Sequence, residues 1–496
     1  MTGYSSTRSS SPELLHTPTL TQSYGSLRKN LSFKSLRELE AKQVQEVLWR
    51  RGQPGDGRHR PKDLEEVLGH AVRGGARSAL LAGAIRAGVN LVIIALRATK
   101  KKGIPPALIL RALFGADTFR FGTMMGAFTF LYKYTLHLLR LYNPGEKGPR
   151  QEEWWHAALA GAVSGISVVA EKKSRRVTLG QQMLVRGLQG HFNVASQRGW
   201  IRIPNGEVLL FGAACGQIMY SWLMAPEALP SGYRRWVTSA SRVAEPCLPV
   251  NLSASRFGTF DPEIARKAKE WKAGCTTRNL GLIEEYARNA EKGDFGPPFA
   301  PCEVVHPWTD TCTWTAIDRW QAVFRWMLPV YSALHTIPPI LFRSTAFRAH
   351  PTKILLKAFL GTLRSCSFLA TFVMLFQGLV CTQRNVYYAL KGRVPEWVMK
   401  VWLHKGYYWA SGFLTCISLF IEEKKRRGEL AMYVLPRGME SLWSVLRRRS
   451  YVPFVPGGEV LMTSLGLSMV MSTYQHEPKM LSGLVRSVLY QFVGHG

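Results

Sequence analysis

The stretch Glu171-Lys172-Lys173-Ser174-Arg175-Arg176 follows an uncharged apolar run, and Glu422-Glu423-Lys424-Lys425-Arg426-Arg427 repeats the arrangement near the C-terminus. Further along, the chain reads Pro204-Asn205-Gly206-Glu207-Val208-Leu209 after the first stretch and Pro456-Gly457-Gly458-Glu459-Val460-Leu461 after the second. The two copies stay in register apart from a slip of one residue. Self-similarity of this kind predicts a tandem duplication.

Apolar runs surround both copies of the motif, four in each half of the chain. Each run is about 16–19 residues long, near the lower limit for a helix that crosses a ~30 Å hydrocarbon core. We therefore predict an all-α, multispanning membrane protein of two parallel four-helix repeats, with about eight spans. The runs are Ser78–Leu96, Phe121–Leu138, Trp154–Ala170, Val208–Ala225, Trp326–Phe342, Ser365–Gln383, Gly406–Ile421 and Val460–Gln475.

Composition changes along the chain indicate four regions. Residues 1–75 are predicted to be a disordered, basic, Ser/Thr-rich tail with short polar helices. Residues 76–235 form the first membrane repeat, and 236–300 form a soluble helical connector. Asp261-Pro262 is typical of a helix start, with Asp as the N-cap and Pro at the first position. Residues 301–496 hold a Cys/His/Pro element and the second repeat.

The net charge of +31 requires an anionic partner. A nucleic-acid-binding protein is expected to carry a basic stripe on a polar fold, whereas the basic residues here flank apolar runs. That placement is typical of the positive-inside rule and of contact with anionic lipid. We therefore expect a lipid bilayer as the partner and no nucleic acid.

The motif pattern, in its order along the chain, resembles the transmembrane protein 135 family. The residues that carry the resemblance are Glu-x-Lys-x-Arg-Arg at 171–176, Asn-Gly-Glu-Val-Leu-Leu-Phe at 205–211, and Cys302-x3-His306-Pro307-x4-Cys312. That family is in turn similar to the four-helix proteins of the mitochondrial import channel and to a small peroxisomal membrane protein.

The resemblance implies a non-enzymatic protein of mitochondrial or peroxisomal membranes, active in organelle dynamics and in lipid or sterol handling. The alternative is a channel or transporter for lipid, metabolite or polypeptide. Polar side chains within the spans would distinguish the two if they lined a cavity. No catalytic motif is evident in the sequence, and no cofactor is expected. The candidates for such a polar face are Arg86, Asn90, Lys133 and Gln217.

The two basic clusters have two readings. Lys and Arg beside a span fix its orientation, which needs no further role. They also suit an anionic-lipid site, such as one for cardiolipin, at about 1 kcal/mol for each basic residue near the surface. The two interpretations are compatible with each other. The clusters consist of Lys172, Lys173, Arg175, Arg176, Lys424, Lys425, Arg426 and Arg427.

Glu207 and Glu459 open the fourth span of each repeat. A carboxylate in the first turn meets the positive end of the helix dipole, and Gly206 or Gly458 is expected to form the tight turn. The alternative is a pair of acidic residues that binds ions inside a pore. We expect helix-start chemistry.

Glycines four residues apart recur in the predicted spans. Small residues at this spacing let helix backbones approach closely within lipid, either inside one chain or across a homo-oligomer. The packing candidates are Gly122, Gly126, Gly161, Gly165, Gly212, Gly216 and Gly412.

Cys302, His306 and Cys312 lie close together in sequence, and Asp310 is available as a fourth ligand. Zinc ligands usually come in tighter Cys-x2–4-Cys pairs. We therefore expect structural residues and no metal here, with a zinc site or a redox-sensitive thiol pair as the alternatives.

Overall fold

The computed structural model describes residues 61, 63–98, 106–142, 153–342 and 344–494, and these residues are all-helical, with no strand among them. Residues 1–60, which belong to the tail predicted to be disordered, lie outside the described residues. So does Lys100–Lys102, a basic run shortly after the first predicted apolar run. The helices are α1 (Leu64–Ala98), α2 (Pro106–Phe114), α3 (Ala116–Tyr142), α4 (Trp154–Ser164), α5 (Lys173–Gln197), α6 (Gly206–Met224), α7 (Ser231–Ser241), α8 (Cys247–Phe257), α9 (Pro262–Arg266), α10 (Thr277–Glu291), α11 (Cys302–Val305), α12 (Cys312–Phe342), α13 (Ser344–Ala349), α14 (Pro351–Leu390), α15 (Glu396–Trp402), α16 (Gly406–Leu414), α17 (Lys424–Arg448), α18 (Gly458–His476) and α19 (Gly483–Phe492).

Three helical segments are long and apolar enough to cross a membrane: Leu64–Ile94, Gly206–Met224 and Pro351–Leu390. Two shorter apolar helices cover Trp155–Ala170 and Gly406–Ile421. Every predicted apolar run coincides with helical structure, apart from Ala225, which follows the last residue of α6. By length and apolarity, therefore, the described residues contain fewer candidate spans than the eight runs predicted.

Helices α4 and α16 each continue into a tighter 3₁₀ segment, over Gly165–Ala170 and Thr415–Ile421. The hydroxyl of Ser164 donates to the carbonyl of Gly161 at 2.7 Å, and the hydroxyl of Thr415 makes the matching bond in α16. Such bonds compete with the backbone pattern of the α-helix. A 3₁₀ segment rises about 2.0 Å per residue instead of 1.5 Å, so these short runs reach farther.

The described chain divides into two compact units, of which the first comprises residues up to 156 together with 474–496. Within it, α1 packs along α3, and α19 lies against α1, where Ser78 Oγ donates to the carbonyl of Phe492 at 3.2 Å. Helix α1 begins at Leu64, and Val67 and Ala71 are buried. The residues assigned to the end of the tail are therefore the first turns of a long packed helix.

The second unit, residues 157–473, contains two sets of helices in the same order and of similar lengths. Helices α5 and α17 have 25 residues each, and α6 and α18 have 19 residues each. The sets exchange partners: α16 and α17 pack on α6, while Gly161 of α4 and Gly187 of α5 face α18. Helices of each set thus pack on helices of the other.

The connector packs as a helical layer on the ends of α6 and α14. Asp261 caps α9 by accepting from the backbone N–H of Glu263 at 2.9 Å, which matches the helix start predicted there. Ile283 of α10 is fully buried in a core that also includes Trp222 of α6 and Phe376 of α14. This core fixes the connector at one end of two candidate spans.

Candidate functional site

An apolar cavity of about 450 Å³ lies between α6, α7, α12, α14 and α17. Aromatic and aliphatic side chains dominate its wall, while the side chains of Gln377 and Arg426 are among the few polar groups. Gln377 donates to the carbonyl of Ser241. Cavities of this size and lining are typical of small-molecule sites. Two of the five helices, α6 and α14, are candidate membrane spans.

A second cavity, of about 510 Å³, is lined by basic side chains of α14 and by the start of α17. Its wall carries four cationic groups and two carboxylates. Lys353 and Lys357 are exposed, and neither has an ion pair among the described residues. The four cations are Lys353, Lys357, Arg364 and Arg426, and the carboxylates belong to Glu422 and Glu423.

The two cavities share Leu334 and Arg426 in their walls, so the apolar chamber ends where the basic cavity begins. A hydrogen-bond network fixes this junction. Buried Glu422 accepts from the Ser365 hydroxyl at 2.5 Å, and Arg426 Nη1 donates to the same hydroxyl at 3.0 Å. His335 Nε2 lies 3.1 Å from Ser365 Oγ and 3.1 Å from Arg426 Nη1. Arg426 is thereby held in position with its charge facing both spaces.

Arg176 and Arg427 of the basic clusters have a structural role, which the sequence does not distinguish from the role of the lysines. Arg176 donates to the carbonyl of Val169 at 2.6 Å and to that of Glu171 at 2.8 Å, at the end of the first 3₁₀ segment. Arg427 makes the matching bonds to the carbonyls of Phe420 and Glu422, at 3.0 and 3.1 Å. These side chains cap carbonyls that the helix leaves unpaired.

The other two arginines of the clusters form ion pairs, whereas the four lysines are exposed. Arg175 and Arg426 each pair with a buried glutamate four residues earlier, at 3.7 and 3.4 Å. The exposed lysines are Lys172, Lys173, Lys424 and Lys425.

Glu207 and Glu459 lie in the first turns of α6 and α18. The left-handed residue of each turn is Asn205 (φ 53°) or Gly457 (φ 66°), one position before the glycine predicted for it. Glu459 lies 3.9 Å from Arg176. Neither glutamate lines either of the two cavities.

The seven predicted packing glycines all face another helix closely. A Cβ built on Gly165 would come within 2.4 Å of the Ser464 Cα, and one on Gly161 within 2.5 Å of the Leu467 carbonyl oxygen. Such contacts leave no room for a side chain. A Cβ built on any of the other five would come within 3.0 Å of a facing atom, and these are Gly122, Gly126, Gly212, Gly216 and Gly412.

The polar residues named as a possible channel face are paired with neighbours. Arg86 forms an ion pair with Asp117 at 2.6 Å, and Asn90 donates to the carbonyl of Ala112 at 3.4 Å. Lys133 and Gln217 are buried in hydrogen-bonded positions. None of the four lines either cavity.

A cluster of three thiols and one imidazole lies where the connector meets α14. The ligand atoms of Cys302, His306, Cys312 and Cys381 all lie within 4.8 Å of one another. Asp310, the fourth ligand suggested by sequence, instead accepts from the Thr276 hydroxyl at 2.5 Å. The missed residue, Cys381, lies far along the chain within an apolar run, and no local spacing indicates it.

The thiol cluster is strongly polarised. Hydrogen bonds with Cys302, Cys381 and His306 hold the pKa of Cys312 well below its usual range. Burial lowers the pKa of His306, but hydrogen bonds with Cys312 and Cys381 outweigh burial and raise that pKa to about 10. Hydrogen bonds with Cys312 and Cys381, together with burial, raise the pKa of Cys302. Negative charge is thus concentrated on the Cys312 sulfur.

Residues 298–446 match the family model described as the N-terminal cysteine-rich region of Transmembrane protein 135. The match contains the whole thiol cluster, all of α14 and most of α17, and it supports the resemblance found in the motifs. It covers less than half of the chain. No solved structure matches the chain.

Proposed function

We propose that the protein is a non-enzymatic integral membrane protein that binds an anionic amphiphile, with the acyl part in the apolar cavity and the headgroup at the basic cavity. The observation that carries the proposal is the wall shared by the two spaces at Leu334 and Arg426. An acyl chain gains from leaving water for an apolar chamber. A phosphate or carboxylate gains charge-assisted hydrogen bonds from Lys and Arg.

The architecture proposed with this function is a duplicated bundle of two parallel four-helix repeats. The matched lengths of α5 and α17 and of α6 and α18 support it, as does the exchange of packing partners. The exposed lysines of both clusters would then face the same anionic membrane surface. Single cysteines placed at Ser174 and Lys425 should be labelled from the same side, and labelling from opposite sides would contradict parallel repeats.

The proposed location is a mitochondrial or peroxisomal membrane, with a role in lipid or sterol handling and organelle dynamics. The motif resemblance implies this location, and the match to the cysteine-rich region of Transmembrane protein 135 supports the resemblance. Fluorescence microscopy of the tagged protein beside organelle markers tests it. Co-localisation with neither organelle would rule the location out.

Lipid binding is tested on purified protein in nanodiscs with a photoactivatable fatty acid and with vesicles that contain cardiolipin. The double change Lys353→Gln, Lys357→Gln should weaken binding about tenfold or more, at about 1 kcal/mol per charge. The matched control, Lys400→Gln with Lys405→Gln, removes two exposed charges that do not line the cavity and should leave affinity unchanged.

The chamber itself is tested by filling it. Ala240 is buried and lines the apolar cavity, so Ala240→Phe should reduce photolabelling while the protein still elutes as a single folded species. Equal losses of affinity in the lysine double variant and its control, or full labelling of a folded Ala240→Phe protein, would overturn the proposal. Conductance of ions without lipid binding would favour a channel instead.

A further inference from the structure

We propose that Cys302, His306, Cys312 and Cys381 form a structural zinc site that fastens the Cys/His/Pro element, which directly follows the connector, to helix α14. The four ligand atoms form a compact set, each within 4.8 Å of the others. Three thiolates and one imidazole are a ligand set typical of closed, four-coordinate structural zinc. The site is separate from the lipid cavity described above, and it does not depend on the function proposed there.

Two distances from the Cys312 sulfur fit a tetrahedral ion. With Zn–S near 2.3 Å and Zn–N near 2.05 Å, tetrahedral geometry places two sulfurs ~3.8 Å apart and a sulfur and a nitrogen ~3.6 Å apart. The Sγ atoms of Cys312 and Cys302 are 3.7 Å apart, and Cys312 Sγ lies 3.6 Å from His306 Nε2. A disulfide would need the two sulfurs at about 2.05 Å. The spacing therefore suits a shared ion better than a bond between the thiols.

The imidazole is oriented for ligation by a neighbouring backbone group. His306 Nδ1 lies 3.0 Å from the carbonyl oxygen of Thr309, to which it donates its proton. In the neutral imidazole that zinc would bind, the lone pair of Nε2 is then directed at Cys312. Outer hydrogen bonds of this kind fix the tautomer of histidine ligands in metal sites. His306 is only 3 % exposed, so its orientation is also fixed by packing.

The charge around the cluster provides a second, independent observation. Zinc with three thiolates and a neutral imidazole carries one net negative charge, which a buried site must balance. Arg384 lies one helical turn after Cys381, is 2 % exposed, and interacts electrostatically with Cys302 and Cys381. Its Nε and Nη1 atoms have no hydrogen-bond partner among the described residues. The cation is thus available to balance the metal centre.

The elements that supply the ligands explain what the ion would do. Cys302 and His306 come from the short helix α11 and the loop after it, Cys312 begins α12, and Cys381 lies in α14. A single ion would therefore cross-link the segment from Cys302 to Cys312 to helix α14, which is distant from it in sequence. Because zinc binding adds to folding free energy, its removal should loosen that segment from α14.

The test measures metal in the full-length protein, purified in detergent under reducing conditions with a tag free of histidine and cysteine. Elemental analysis should find one zinc per chain. Cys381→Ser should lose most of it, whereas the control Cys366→Ser, at a fully buried cysteine on the same helix outside the cluster, should retain it. Should Cys381→Ser fail to fold, Cys381→His restores a ligand and should recover the metal.

A second readout uses the unaltered protein. Replacement of zinc by cobalt should give the visible absorption of tetrahedral, thiolate-bound cobalt, and a chelator should lower the melting temperature. The proposal is overturned if the parent protein holds no more zinc than Cys381→Ser, or if the control loses as much. A Cys302–Cys312 disulfide in the purified protein, found by mass spectrometry without reduction, would equally overturn it and favour a redox pair.

Discussion

At the residue scale, the basic clusters combine two kinds of side chain that look alike in sequence. Arg176 and Arg427 reach back over the ends of the 3₁₀ segments and bind carbonyls there, whereas Lys173 and Lys425 remain exposed. The rigid fork of guanidinium donors suits two carbonyls at once, and a lysine ammonium does not. Position within a cluster therefore separates a structural charge from one available to lipid.

This difference predicts unequal effects of single substitutions. Arg427→Gln should leave the carbonyls of Phe420 and Glu422 without their donor and lower the free energy of unfolding by about 1–3 kcal/mol. Lys425→Gln, two residues away and exposed, should change it by less than about 0.5 kcal/mol. Thermal melts of the detergent-solubilised variants compare the two. Equal melting temperatures would remove the capping argument.

At the element scale, the helices of the second unit approach through glycines on both sides of the exchanged pairs. Gly438 of α17 faces Ala214 of α6, and Gly187 of α5 faces Gly466 of α18 in the corresponding position. Close backbone approach increases van der Waals contact, which drives helix association where lipid removes the hydrophobic term. The glycine pattern therefore encodes which helices pair.

Substitutions at Gly438 and Gly428, which both lie in α17, test whether close glycine contacts stabilise the helix pairing. A Cβ at position 438 would meet the Ala214 backbone at 2.9 Å, whereas nothing lies within 4 Å of one at position 428. Gly438→Ala should therefore destabilise the protein by about 1–3 kcal/mol through overpacking. Gly428→Ala should be neutral or stabilising by up to about 1 kcal/mol. A Gly438→Ala protein that melts no lower than Gly428→Ala would contradict the packing.

The sequence predicts the helices and their close-packing glycines because both depend on local spacing. Apolar runs and glycines four apart remain visible without tertiary information. The break of α4 at Ser164 was not predicted, because a hydroxyl that bonds its own backbone resembles any other small polar residue. Cys381 was missed because its partners lie near residue 306, and only the fold brings α14 beside the connector.

At the scale of the whole molecule, the apolar cavity lies within the second unit between helices from both sequence halves. Phe211 comes from α6, Tyr331 from α12 and Leu430 from α17, so no single segment carries a recognisable motif for it. Sequence reasoning placed lipid contact on the exposed clusters, whereas the structure adds an interior space that ends at Arg426. Arg426 belongs both to the second basic cluster and to the wall of the interior cavity.

The most direct test of lipid binding is a cryo-electron microscopy map of the full-length protein in nanodiscs that contain anionic phospholipid. The account predicts elongated density in the apolar chamber beside Phe372, continuous with headgroup density at Arg426 and Lys357. The Lys353→Gln, Lys357→Gln variant should show weaker headgroup density under the same conditions. A chamber closed by side chains, or one without density while lipid is ordered elsewhere on the protein, would contradict it.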